Sequence, residues 1–169
     1  MNRINQLFEL RKGNILSVYF TAGFPKLDDT LPVLKSLQAN GVDLVEIGIP
    51  FSDPMADGIV IQNSGQQALK NGMSIRKLFD QLTEVREHIH IPLVMMGYLN
   101  PIIQFGFEDF CRECSRVGVD GMIVPDLPMN DYLAEYKDVT ERYGLEFIFL
   151  ITTETSDERI RQIDDNTNG

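Results

Sequence analysis

Two carboxylates, Glu46 and Asp57, stand at the end of an apolar run and in the loop that follows it. Along Val42-Asp43-Leu44-Val45-Glu46-Ile47-Gly48-Ile49, a period of two puts Leu44, Glu46 and Gly48 on one face of a strand. Val45, Ile47 and Ile49 fall on the other. A carboxylate in the middle of such a strand faces either a barrel interior or a layer of helices. In both places it must be paired, protonated or set in a polar cavity. The plainer alternative is a glutamate near a strand end that reaches water. The loop Pro50-Phe51-Ser52-Asp53-Pro54-Met55-Ala56-Asp57-Gly58 follows directly. Ligands of α/β folds sit at the carboxyl ends of strands, so Glu46 and Asp57 are placed to meet over one small ligand. For Asp57 the competing role is the N-cap of a helix opening at Ile59-Val60-Ile61.

The elements that would hold these residues alternate along the chain. A first helix is expected over 2–11, ended by Gly13, then a strand over 15–20 and the turn Ala22-Gly23-Phe24-Pro25. Asp28 or Asp29 is positioned to cap the next helix, whose Leu31, Leu34 and Leu37 form a stripe that stops at Asn40-Gly41. Strand two covers 42–49. A helix with Ile59, Ile61, Ala68 and Leu69 ends at Asn71-Gly72. Another is expected over 74–88, capped by Ser74 and burying Ile75, Leu78, Phe79, Leu82 and Val85. Strand three, 91–96, leads into a turn over 97–101. A helix over 107–117, strand four over 121–124, a helix over 130–142 and strand five over 146–151 follow. The last helix starts near Ser156 and fades into residues 164–169.

Strands apolar on both faces, separated by helices, predict a parallel α/β sheet covered by helices. Two architectures remain, a closed barrel and an open doubly wound sheet. A Rossmann sheet would show G-x-G-x-x-G after its first strand, and Thr21-Ala22-Gly23-Phe24-Pro25 stands there instead. The barrel is favoured.

Composition sets the outer bounds. The chain has 169 residues, 43% hydrophobic and 24% charged, as a folded globular domain does. Its formal net charge of -10 disfavours a nucleic-acid backbone as partner. A phosphorylated small molecule is still allowed, because local backbone N–H groups can hold one. No apolar run is long enough for a membrane helix, and the first residues do not resemble a signal peptide, so a cytoplasmic location is expected. Cys111 and Cys114 cannot build a disulfide framework and read as core positions of a helix rather than a metal or redox pair. His88 and His90 read as surface residues, and Glu154, Asp157, Glu158, Asp164 and Asp165 as solvated.

The run Val45-Glu46-Ile47-Gly48-Ile49-Pro50-Phe51-Ser52-Asp53-Pro54-Met55-Ala56-Asp57-Gly58 resembles the signature of the tryptophan synthase alpha subunit family. Ile61-Gln62-Asn63 continues the resemblance, and Tyr19-Phe20-Thr21-Ala22-Gly23-Phe24-Pro25 precedes it. Tyr98-Leu99-Asn100-Pro101, Gly118-Val119-Asp120-Gly121 and Pro125-Asp126-Leu127-Pro128 follow in the family's order. The resemblance extends over essentially the whole chain. It implies a (β/α)8 TIM barrel that cleaves indole-3-glycerol phosphate into indole and glyceraldehyde 3-phosphate. It also implies catalytic roles for Glu46, which would move the protons, and Asp57, which would accept the indole N–H. Tyr19, Thr21, Tyr98 and Ile123 become candidates for contact with the substrate. The resemblance implies no cofactor in this subunit and a beta subunit as partner, in an alpha2beta2 assembly. Pyridoxal phosphate (PLP) would belong to that partner, faced by Pro50, Phe51, Asp53, Asn100 and Pro101.

Five strands are legible, whereas a complete barrel has eight, in about 250 residues. Residues 1–169 therefore read as a single incomplete barrel domain, without the late loops that bind phosphate in this fold. A chain that ended at Gly169 would be expected to turn over no substrate and to expose two sheet edges and an apolar inner face. The alternative function is an inactive fragment that keeps only beta-subunit docking. A different phosphate-ligand barrel is disfavoured by the spacing of Glu46 and Asp57.

Overall fold

The computed structural model describes residues 2–167. Five parallel strands form one sheet, in chain order β1-β2-β3-β4-β5: β1 Ser17–Thr21, β2 Leu44–Gly48, β3 Leu93–Met96, β4 Gly121–Ile123 and β5 Glu146–Phe147. Each crossover returns the chain to the adjacent strand, with no reversal of order. A doubly wound sheet reverses at its switch point, so this order is that of a barrel wall.

The helices are α1 Arg3–Leu10, α2 Thr30–Ala39, α3 Ile59–Lys70, α4 Ile75–Gln81, α5 Leu99–Phe105 and α6 Phe107–Val117. A seventh, α7, runs through Met129–Asp131, a π segment Tyr132–Tyr136 and Lys137–Arg142, and α8 is Asp157–Asn166. The outer face of the sheet carries the main core. Val45, Ile47, Leu93, Met95 and Met122 pack there with Leu34, Leu78, Phe110, Cys111 and Cys114 from the helices. Burying each such aliphatic side chain contributes roughly 1.5–3 kcal/mol. Both cysteines are core, as their helical spacing predicts, and burial pushes the Cys111 thiol up to about 12.

Four expectations need correction. Residues 74–88 are not one helix: α4 stops at Gln81, and Val85–Glu87 forms a separate 3-10 turn. The Thr83 hydroxyl donates to the Phe79 carbonyl there, a back-bond that loosens helical continuation, while Leu82 and Val85 stay buried. Residues 97–101 are not simply a turn, since α5 begins at Leu99 and places Pro101 in its first turn. Proline is tolerated there because its missing N–H would have no intrahelical partner. Neither Asp28 nor Asp29 caps α2 through its side chain, and the Asp29 carboxylate instead accepts the Lys26 N–H. Strand five is shorter than expected, its pairing ending after Phe147 although Ile148 still donates to the Met122 carbonyl. Ser74 and Ser156 cap their helices as expected. The last two positions of the expected tail, Asn168 and Gly169, lie outside the described residues.

The inner face is not bare. Helix α1 packs against it, and Ile4 joins Leu44, Val94 and Ile123 in a second buried cluster that reaches from the first residue of β2 to the last of β4. The Asp120 carboxylate, 3% exposed, fixes that arrangement. It accepts from Arg3 at 2.9 Å, from Arg86 at 2.6 Å and from the Leu93 N–H at 2.9 Å. Burial lowers the Arg86 pKa, and the charge of Asp120 opposes that shift. Toward the carboxyl ends of β1 and β2 the same face carries Tyr19, Thr21 and Gly48.

Candidate active site

Strand register decides which side chains share the inner face. Tyr19 lies opposite Glu46, and Thr21 opposite Gly48. Ser17, Tyr19 and Thr21 are in phase along β1, so they face the same side as Glu46 and Gly48. Glu46 is half-buried, and its Oε1 accepts the Ser17 hydroxyl at 2.6 Å. Ser17 escaped the sequence reading, although its phase with Tyr19 and Thr21 was the signal that would have found it.

Gly48 owes its identity to Tyr19. A Cβ built on Gly48 would lie 2.1 Å from the phenol oxygen and 2.4 Å from the ring carbon that bears it. The missing side chain is therefore the space that the phenol occupies. Burial raises the Tyr19 pKa most strongly, a hydrogen bond with the Thr21 side chain opposes this, and Asp57, Tyr98 and Glu46 raise it further.

Asp57 sits half-buried in the loop between β2 and α3. It is not a side-chain cap of α3. Gly58 is the N-cap residue, and Asp57 offers only its carbonyl, to Gln62 at 2.8 Å. The Asp57 carboxylate is left for other work. The preceding residue is held from β3's side: the Ala56 N–H donates to the Tyr98 phenol oxygen at 3.0 Å. The Tyr98 ring packs on Phe51, with centroids 5.4 Å apart.

The remaining candidates divide. Thr21 is buried, with its hydroxyl 2.7 Å from that of Ser64 on α3. Ile123 is buried in the inner cluster, level with Met96 in the register. Pro50, Phe51 and Pro101 line one outer cleft of about 540 Å³ with Met73, Gln104 and Phe105. Asp53 and Asn100 are exposed, Asn100 accepting from Gln104 on the same helix. Among the described residues no group of three or more His, Cys, Asp or Glu is arranged to hold a metal ion. No helix among them is long and apolar enough to cross a membrane.

A parallel sheet in sequential order, its strands joined by helices, defines a protein of the (β/α) barrel class. Comparison with known proteins makes this specific. The family described as tryptophan synthase alpha chain matches residues 6–169, and the chain belongs to that family. Tryptophan synthase alpha chains of Parabacteroides distasonis and Bacteroides thetaiotaomicron are 61% and 60% identical over all 169 residues. The chain spans 66% of the length of each. Among solved structures, tryptophan synthase subunit alpha from Legionella pneumophila superposes with a TM-score of 0.93 at 36% identity, over 100% of this chain and 66% of that one. A tryptophan synthase complex from Pyrococcus furiosus gives 0.86 at 42% identity, over 92% of this chain and 64% of that one.

Proposed function

We propose that this chain supplies the acid–base half of a site that cleaves indole-3-glycerol phosphate to indole and glyceraldehyde 3-phosphate. The observation that carries the reading is the strand register, which sets Tyr19 beside Glu46 on the inner face, with the half-buried Asp57 in the loop that follows the same strand. The indole must be protonated at C3 before it can leave, and the Glu46 carboxyl is the donor. Positive charge then develops on the ring nitrogen, and the Asp57 carboxylate accepts its N–H. The bond between C3 and the glycerol carbon breaks as the adjacent hydroxyl returns its proton to the Glu46 carboxylate. Indole and the aldehyde result, with Glu46 restored to its starting state. Tyr19, Tyr98, Thr21 and Ile123 contribute the walls of the indole pocket.

On this reading residues 1–169 form one domain, the first five strands of an eight-stranded barrel, and the substrate phosphate is held by later strands. Proton transfer by Glu46 and charge stabilisation by Asp57 call for no cofactor in this chain. The outer cleft with Pro50, Phe51 and Pro101, flanked by Asp53 and Asn100, is the face for a beta subunit that bears pyridoxal phosphate, in an alpha2beta2 assembly. A cytoplasmic location belongs to the same reading. The test is direct: the full-length protein that carries this sequence is incubated with indole-3-glycerol phosphate. Equimolar indole and glyceraldehyde 3-phosphate are expected, and absence of both would overturn the proposal.

A further inference from the structure

The loop that carries Asp57 has few means of holding its shape. Residues 50–58 form no helix or strand, Ser52, Asp53, Met55 and Ala56 are exposed, and the helix that follows takes no side-chain cap from the loop. A carboxylate that must meet a developing charge has to be fixed to about half an ångström, and a free loop does not do that. The Gln62 side chain holds the Asp57 carbonyl from one side at 2.8 Å, and Tyr98 supplies two further restraints from the other. Its phenol oxygen accepts the N–H of Ala56, the residue next to Asp57, at 3.0 Å. Its ring, 8% exposed, packs against Phe51 at the other end of the loop.

Tyr98 is itself firmly placed. It is the N-cap residue of α5, and the next N–H, that of Leu99, is held by the Asp126 carboxylate at 2.9 Å. The loop after β4 therefore braces the start of α5, and the start of α5 braces the loop after β2. Each link is a hydrogen bond to a rigid element end.

We propose that Tyr98 is a positioning residue, which sets the Asp57 carboxylate through the Ala56 N–H rather than serving only as a wall of the ligand pocket. The inference rests on the proposed cleavage reaction. Replacing Tyr98 with Phe keeps the ring on Phe51 and removes only the acceptor.

In the full-length protein, Tyr98→Phe is expected to lower kcat for indole release about tenfold while KM changes less than about twofold. In an Asp57→Asn background the same change is expected to alter kcat less than about twofold, because the group it positions is gone. An equal fall in both backgrounds, or no fall in either, would overturn the proposal. Should Tyr98→Phe fail to fold, an amide-to-ester replacement at Ala56 deletes the same bond from its other end and must give the same pattern. Hydrogen exchange of residues 52–57 supplies a readout independent of activity. It should quicken in either variant, and unchanged exchange would contradict the role. Wild-type protein that releases no indole would instead count against the cleavage reading itself, while the exchange result would still decide whether Tyr98 holds the loop.

Discussion

At the scale of single residues, the site depends on side chains that are small or absent as much as on those that react. Gly48 is a glycine because the Tyr19 phenol lies where its Cβ would be. Gly48→Ala is therefore an overpacking change, expected to cost about 1–3 kcal/mol of stability in urea denaturation. The cost should fall below about 1 kcal/mol when Tyr19 is also changed to Leu, since the clash is with the phenol. Equal costs in the two backgrounds would show that Gly48 is required for another reason. Ser17 acts by presence rather than absence. Its hydroxyl gives the half-buried Glu46 carboxylate a hydrogen-bond partner at the exposed margin of the face that also carries Tyr19 and Thr21.

At the scale of elements, helix α6 shows how burial becomes a pH response. Cys111 and Cys114 lie on its inner face, and desolvation raises both thiols, Cys111 to about 12 from an ordinary 9.0. A thiol whose pKa is raised by folding stabilises the native state fully below the unfolded value, and that contribution is lost as pH rises toward the folded one. Stability should therefore decline between pH about 9 and about 12, with Tyr19 and Tyr132, also raised by burial, acting in the same direction. Cys111→Ala should make the decline shallower when urea midpoints at pH about 8 and about 10.5 are compared. An unchanged slope would contradict the assignment. The same elements show what a sequence reveals. Ser74 with its apolar stripe was legible as a helix start, and the two-residue period of β2 put Glu46 on the inner face. The stripe ran on through Leu82 and Val85 because a 3-10 turn can bury the same side chains as a helix. Helix α5 was hidden because Gly97, Asn100 and Pro101 are turn formers, and only the Asp126 carboxylate, distant in sequence, reveals how its first turn is satisfied. Strand pairing gives no local signal, so neither the early end of β5 nor the contact of Ala56 with Tyr98 could be read from the chain.

At the scale of the whole molecule, function follows from the two ends of one sheet. The amino-terminal end is closed by α1, which Asp120, Arg3 and Arg86 tie down with ion pairs and Ile4 seals with apolar contacts. Such an end serves stability, and the carboxyl end is left to chemistry. The sequential strand order, the match over residues 6–169 and the 66% share of its relatives' length describe the same object, an extended section of a barrel wall that carries the carboxylates. The central claim is that Glu46 moves the protons and Asp57 answers the charge that results. It is tested most directly by steady-state indole release from the full-length protein carrying Glu46→Gln or Asp57→Asn, with circular dichroism to confirm folding. The account predicts a fall in kcat of about 10²–10⁴-fold for Glu46→Gln and about 10²–10³-fold for Asp57→Asn, with the fold intact. Substantial indole release by a folded Glu46→Gln protein would contradict it.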